Sequence, residues 1–339
     1  MRTARKTIPT CFGLVISATA VFALVLSVGP IIVQAGETGN RAGRFQIEIF
    51  GGAMRLDPRD LNLRSEYDAT LQAFRFDSFL NYWQAQGNIL SWSKGEQDER
   101  GTIKAGFPLG LRVRYRLSGP VSISVGVVGL RAGRSKNLLI EYNSQYSNGW
   151  YYRETLEYSP YTLSLSAILP QVGVHYEKPL SGRLGLEGSL SAGPIFARCR
   201  YLSNLDYSWH ITGTGFDWPA FDQNVRLEEN GSGTGFGLEA AARLNYQPAE
   251  RWGLFLSAGY AYRKIKAISG EGSEIRDDVR QTWEGSWAVG SEQMVAPWGE
   301  ATLEFPTAYW PDGSAVSRVR DFALDLSGFQ LKAGVFYKF

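Results

Sequence analysis

Phe329-Gln330-Leu331-Lys332-Ala333-Gly334-Val335-Phe336-Tyr337-Lys338-Phe339 closes the chain, and its alternation sets the reading of everything before it. Phe329, Leu331, Ala333, Val335, Tyr337 and Phe339 fall on one face, while Gln330, Lys332, Gly334, Phe336 and Lys338 fall on the other. Successive side chains of a strand point to opposite faces, so period two means a strand between two different environments. Here the apolar face ends in aromatics and the opposite face carries lysines. One strand decides little, so the same pattern has to recur.

The other end of the chain reads as a targeting segment. Arg2, Arg5 and Lys6 precede an apolar run from about Cys11 to Val28, which Gly29 and Pro30 break. Val33-Gln34-Ala35 sets small residues before Gly36, which predicts a signal peptide over residues 1–35 cleaved between Ala35 and Gly36. A short lead, 36–43, then precedes one domain, 44–339. Loss of the signal leaves 32 basic side chains, three fewer than the full 35, against 33 acidic ones. That balance gives no basis for a nucleic-acid partner. Cys199 is then the single cysteine, so no intramolecular disulfide can form. No later apolar run is long enough for a membrane helix. An exported chain without helical spans enters a membrane only as a closed barrel, because unpaired backbone is intolerable in lipid.

Alternating segments recur with very unequal gaps. The first is 44–54, with Phe45, Ile47 and Ile49 opposite Gln46 and Glu48. The second, 104–117, sets Phe107, Leu109, Leu111, Val113, Tyr115 and Leu117 against Arg112, Arg114 and Arg116. Ser118-Gly119-Pro120 leads to a third, beginning at Val121. The fourth ends near Glu177 and the fifth begins near Arg183; the sixth covers about 234–246, the seventh about 252–267 and the eighth 320–339. Three junctions are short and rich in Gly and Pro. Four are long: 55–103, 140–155, 204–226 and 270–318. Alternation of short and long junctions predicts an all-β, antiparallel, up-and-down transmembrane β-barrel of eight strands, with tight periplasmic turns and long extracellular loops. Slips of alternation at Ala167–Pro170, Gly193-Pro194 and Ser327-Gly328 predict bulges. The first loop holds a helix-like stretch between Arg64 and Trp83, with Tyr67, Leu71, Phe74, Phe79 and Tyr82 as its stripe, placed to cover the mouth. The fourth loop, with Trp283, Trp287, Trp298 and Trp310, has room for a hairpin that would make a ten-stranded barrel.

A repeat supports the parity. Val113-Arg114-Tyr115, Val174-His175-Tyr176, Leu244-Asn245-Tyr246 and Val335-Phe336-Tyr337 each end a downward strand. With Trp252 they predict a periplasmic girdle of Tyr115, Tyr176, Tyr246, Trp252 and Tyr337, since such rings favour an interface where ring and polar tip find different surroundings. A looser upper belt is expected from Trp150, Tyr151, Tyr152, Tyr158, Tyr161, Tyr201, Tyr207, Trp209, Tyr260 and Tyr262.

On terminal Phe339, strand parity and girdle, residues 44–339 resemble the small eight-stranded bacterial outer-membrane barrels of the outer-membrane protein A, X and W types. The resemblance implies outer-membrane lipid as surroundings. It also implies that Phe329, Leu331, Val335, Tyr337 and Phe339 are the strand the barrel assembly machinery reads, with periplasmic chaperones on the way. A monomer is expected.

The inward faces gather Glu48, Glu187 and Glu239 with Arg112, Arg114, Arg116, Arg243 and Lys332. At eight strands a lumen is about wide enough for side chains to fill. A connected ion-pair network is expected, because lone buried charges are costly. Two histidines, His175 and His210, complete the search for chemistry. No catalytic constellation, cofactor motif or metal-ligand spacing is found. The expected role is structural or surface interaction through aromatic extracellular loops. A porin-like or lateral-exit route for small solutes is the alternative, and a rim enzyme (protease or lipid-modifying) comes after it.

Overall fold

The computed structural model describes residues 44–98, 102–213, 216–296, 299–307 and 316–339. The signal segment, its cleavage point at Ala35 and Gly36, and the lead to residue 43 lie outside the described residues, as do Trp298 and Trp310.

The elements run β1 (Phe45–Arg55), α1 (Arg59–Ala85), β2 (Ile89–Asp98), β3 (Ala105–Ser118), β4 (Val121–Tyr146), β5 (Tyr151–Pro179), β6 (Leu184–Gly213), β7 (Phe216–Tyr246) and β8 (Trp252–Ile265). They continue with β9 (Ser269–Arg276), β10 (Val279–Ser286), β11 (Ala288–Ala296), β12 (Gly299–Thr307), β13 (Val316–Asp321), β14 (Leu324–Asp325) and β15 (Gly328–Lys338). Pairing runs β7-β6-β5-β4-β3-β1-β15-β8 and returns from β8 to β7, so these eight antiparallel strands close into a ring with no free edge. The first and last strands meet directly, Glu48 opposite Phe336 and Ile47 opposite Tyr337.

Tight turns join strands at one end of the ring, where Gly119 takes the left-handed φ of +54° that its turn demands. At the other end the expected loops are largely strand. Positions 140–155 are a hairpin whose turn is only residues 147–150, and 204–226 continues β6 and β7. β4, β5, β6 and β7 therefore reach 26, 29, 30 and 31 residues. With β2 on one side and the β9–β10 hairpin on the other, they form a wall that stands far above the ring on one flank. The sequence pattern ends early because the outward face turns polar there, Glu141 and Asn143 replacing Val125 and Val127, while Leu138, Ile140 and Tyr142 stay inside.

The fourth long junction does hold hairpins, but they do not enter the ring. β9 pairs with β7 above the point where β8 leaves it, and β11, β12 and β13 make a separate three-stranded sheet. The closing strand is Gly328–Lys338 rather than 320–339. None of the three expected bulges shifts the register. β5 and β6 keep the same offset on both sides of Gly193, and β8 keeps its offset from Leu324 through Gly328. The register shifts instead at Arg116–Ser118, Trp209–His210 and Tyr158–Tyr161, and at the last of these Pro160, lacking an N–H, exchanges which face points inward. Gly193 is what lets Pro170 pass without a shift: a Cβ there would stand 1.9 Å from the Pro170 carbonyl oxygen. Gly193→Ala is expected to destabilise the ring by about 1–3 kcal/mol through backbone displacement, read as a lower urea midpoint.

α1 spans Arg59–Ala85, with Asp60 favouring its N-terminus and Gly87 (φ +75°) ending it. The side chains of residues 65–75, including Tyr67, Leu71 and Phe74, lie outside the described ones. The helix enters the mouth of the ring at Leu61, fully buried, and then climbs the wall's inner face, where Phe76, Phe79, Leu80 and Trp83 meet Leu138, Ile140, Tyr142, Leu156 and Tyr158.

Polarity is inverted around the ring. Its outside carries Ile49, Phe107, Leu109, Val125, Val172, Leu190, Phe236, Leu256, Phe329 and Leu331, all exposed, with Phe329 at 71%. Its inside carries buried charge. From Phe107 to Tyr115 a rise of about 3.3 Å per residue and a tilt near 40° give an apolar band roughly 20 Å tall.

Candidate functional site

Alternation aims the even residues of β1, β3, β4 and β15 and the odd residues of β5 to β8 into the ring, and the interior fills in layers. At the turn end Arg116 pairs with Glu177 at 3.2 Å and Lys338 donates to Gln247 at 2.7 Å. Above them Glu48, with no exposed surface, takes Arg243 at 2.7 Å, Arg114 at 3.0 Å and Arg112 at 3.6 Å. Glu187 shares Arg114 at 2.8 Å and accepts from Asn245 at 3.1 Å. Its other oxygen meets His175 Nδ1 at 2.8 Å, and His175 Nε2 meets the Ser124 hydroxyl at 2.8 Å. Eight residues from six strands thus form one buried network.

A ring of phenylalanines caps that layer. The Arg243 guanidinium lies 3.6 Å from the Phe255 ring centre, and Arg112 sits over Phe50 at 5.3 Å. Phe50 meets Phe255 edge-on at 6.2 Å. A second charged layer follows, in which Glu239 accepts from Lys332 at 2.5 Å and Arg263 at 2.9 Å. Arg263 also donates to Met54 Sδ at 3.3 Å, which marks the change to an apolar plug. Leu56, Leu61, Ile103, Leu130, Leu163, Ile195, Tyr201, Trp287, Phe322, Leu324 and Leu326 fill the mouth, each no more than 2% exposed. Polar latches hold the plug in place. Asp60 accepts from Arg320 at 2.5 and 2.6 Å and from the Ala323 N–H at 2.8 Å. Arg64 pairs with Glu229 at 2.8 Å and lies over Tyr201 at 4.5 Å.

The structure therefore brings Glu48, Arg112, Arg114, Glu187 and Arg243 into one layer and Glu239 with Lys332 into another. Arg116 joins neither and stays half exposed at the rim. Arg263 went unnamed although the odd positions from Gly253 lead directly to it. His175 is also a member of the first layer. Arg64–Glu229 and Asp60–Arg320 tie segments far apart in sequence and had no local signal.

Tyr115, Tyr176, Tyr246, Trp252 and Tyr337 all face outward near the turn end, with Tyr337 directly opposite Trp252. Phe329, Leu331 and Val335 share the outward face of β15, and Phe339, one residue past its end, is exposed as well. The upper belt is corrected: Tyr158 and Tyr201 are buried inside, Tyr152, Tyr207 and Trp209 line the wall's inner face, Trp150 and Tyr151 are exposed at the tip of the β4–β5 hairpin, and Tyr260 and Tyr262 point out from the ring. His210 is on β6, not in a loop. With Asn143, Arg153, Ser208 and Thr212 it lines a groove of about 760 Å³ on the wall face away from α1. Among the described residues no three His, Cys, Asp or Glu side chains gather as a metal site, and no helix is long and apolar enough to cross a membrane.

The chain matches no family model and no curated protein. Among solved structures it is similar to the outer membrane protein OprG from Pseudomonas aeruginosa, at 12% identity and a TM-score of 0.29, over 89% of this chain and 98% of that one.

Proposed function

We propose that the chain is an integral outer-membrane β-barrel of the small, filled kind, acting as a structural and surface-interaction protein through the wall above its mouth. The observation that carries this is the inverted polarity: a closed ring with exposed Phe, Leu and Val outside and ion pairs buried within. In water such a belt would drive aggregation, whereas in a bilayer it is the required surface. Closure leaves no strand edge in lipid. The turn end faces the periplasm, the aromatic girdle marks the inner interface, and the wall stands in the extracellular space.

A folded barrel of this kind is expected to migrate faster on a gel before boiling than after. Unchanged mobility together with recovery in the soluble periplasmic fraction would overturn the reading. Two charged layers and an apolar plug leave the lumen to side chains rather than solute. The purified protein is accordingly expected to be silent in planar bilayers; steady single-channel steps would favour the porin-like alternative instead.

A further inference from the structure

Glu154 stands on the inner face of the wall without compensation. It lies in register between Tyr142 of β4 and Trp209 of β6. Tyr152 is the next residue on that face of β5, and Tyr207 is the diagonal neighbour on β6. Tyr152 stacks on Trp209 at 5.7 Å and touches Tyr146 at 4.4 Å. On the lower side Phe76 of α1 stacks on Tyr142 at 5.1 Å and reaches Tyr207 at 6.2 Å. Within this frame Glu154 Oε2 is buried with no hydrogen-bond partner, and the Trp209 indole N–H also has none. Ion pairing goes elsewhere. Lys94 of β2, one strand further along the same row, lies over Tyr142 at 5.7 Å and is held by Glu96 at 3.1 Å and Asp77 of α1 at 3.7 Å.

A carboxylate without donors is costly to bury, and the negative faces of neighbouring rings add to the cost. A cation reverses both terms, since ring faces and carboxylate attract it together. One carboxylate offers too few oxygens for calcium or magnesium. Tyr146, Tyr152, Tyr207, Trp209 and Glu154 all keep some exposed surface, so the frame is open to a ligand. We propose that these five residues form a binding site for an organic cation, an ammonium group on a compact apolar body. This goes beyond the surface-interaction reading and depends on it only for the side of the membrane from which the ligand arrives.

The titratable groups facing the frame are Tyr142 and Tyr146 on β4, Tyr152 on β5, Tyr207 on β6, Asp77 on α1, and Lys94 and Glu96 on β2. Burial pushes the Glu154 carboxyl up to about 7 and the phenols of Tyr146 and Tyr207 upward as well. The cation needs the ionised carboxylate, so binding strengthens as pH rises to about 7 and weakens by up to about tenfold per unit below it.

Calorimetry on the folded, detergent-solubilised protein tests this with tetramethylammonium and butylammonium chloride, against sodium chloride at equal ionic strength. Saturable binding of at least one organic cation is expected, with a proton released on binding at pH 6, seen as a buffer-dependent enthalpy. Glu154→Gln is expected to weaken it at least tenfold, and Tyr152→Leu, which leaves Glu154 in place, several-fold. Absence of saturable binding by the unaltered protein, or equal binding by Glu154→Gln with a folded band on the gel, overturns the proposal. If Glu154→Gln does not fold, unaltered binding by Tyr152→Leu overturns it. The gel shift on boiling tests the membrane reading separately, so failure of one leaves the other standing.

Discussion

Glu48→Ala is expected to lower the stability of the ring by roughly 3–5 kcal/mol, measured as the shift in urea midpoint of the heat-modifiable gel band. The magnitude follows from what is left behind rather than from the contact removed. Glu48 answers three guanidinium groups, Arg243 at 2.7 Å, Arg114 at 3.0 Å and Arg112 at 3.6 Å. Without it Glu187 is the one carboxylate in that layer, and it already serves Arg114, Asn245 and His175. A buried charge stripped of its partner keeps its full desolvation cost. Glu48→Gln retains volume and one acceptor and is expected to cost less. The double variant Glu48→Ala with Arg243→Met removes one orphaned cation as well, so the two changes should couple by about 0.5–3 kcal/mol in the compensating direction. A loss below about 1 kcal/mol for Glu48→Ala would mean that water reaches the layer and screens it, which would weaken the case for a filled lumen.

The sequence is legible where the two faces of a strand differ in the expected sense. Residues 107–117 and 329–339 alternate aliphatic or aromatic against charged or small, and both are strands in the positions read from them. The same physics hid the wall. Above the apolar band the outward face becomes Glu141, Asn143 and Gln145, while the inner face becomes Tyr142, Ser144 and Tyr146, so both faces look polar and aromatic at once. Alternation is still present there but no longer marked by hydropathy, and the segment reads as loop. Glu154 is invisible for that reason. Most of the charged interior could be read because a lumen residue needs only strand parity, which the turns supply. Partners could not, since Glu48 and Arg243 are distant in sequence and meet only when the ring closes. Asp60 with Arg320 and Arg64 with Glu229 lie further from reach, because they depend on how the chain folds back over the mouth.

Leu256→Arg separates a lipid-facing belt from an ordinary surface by sign as well as size. Leu256 lies midway along β8, outward, between the girdle residue Trp252 and the mouth-side Tyr260. It is 59% exposed, so a protein in water would accept arginine there within about 0.5 kcal/mol and gain solubility. In a bilayer the guanidinium would stand near the midplane, where the cost is about 2–4 kcal/mol and falls toward the interfaces. Tyr262→Arg, nearer the mouth on the same outward face, is expected to cost less than about 1 kcal/mol, because its longer reach toward water lets the charge escape the hydrocarbon. The measurement is refolding into vesicles of defined lipid, with urea midpoints for both variants and the parent. Equal, near-zero effects at the two depths would remove the membrane from the account of this belt. A midplane loss several times the interfacial one is what an apolar band roughly 20 Å tall requires. It would also place the wall, and Glu154 within it, outside the bilayer on the side of the mouth.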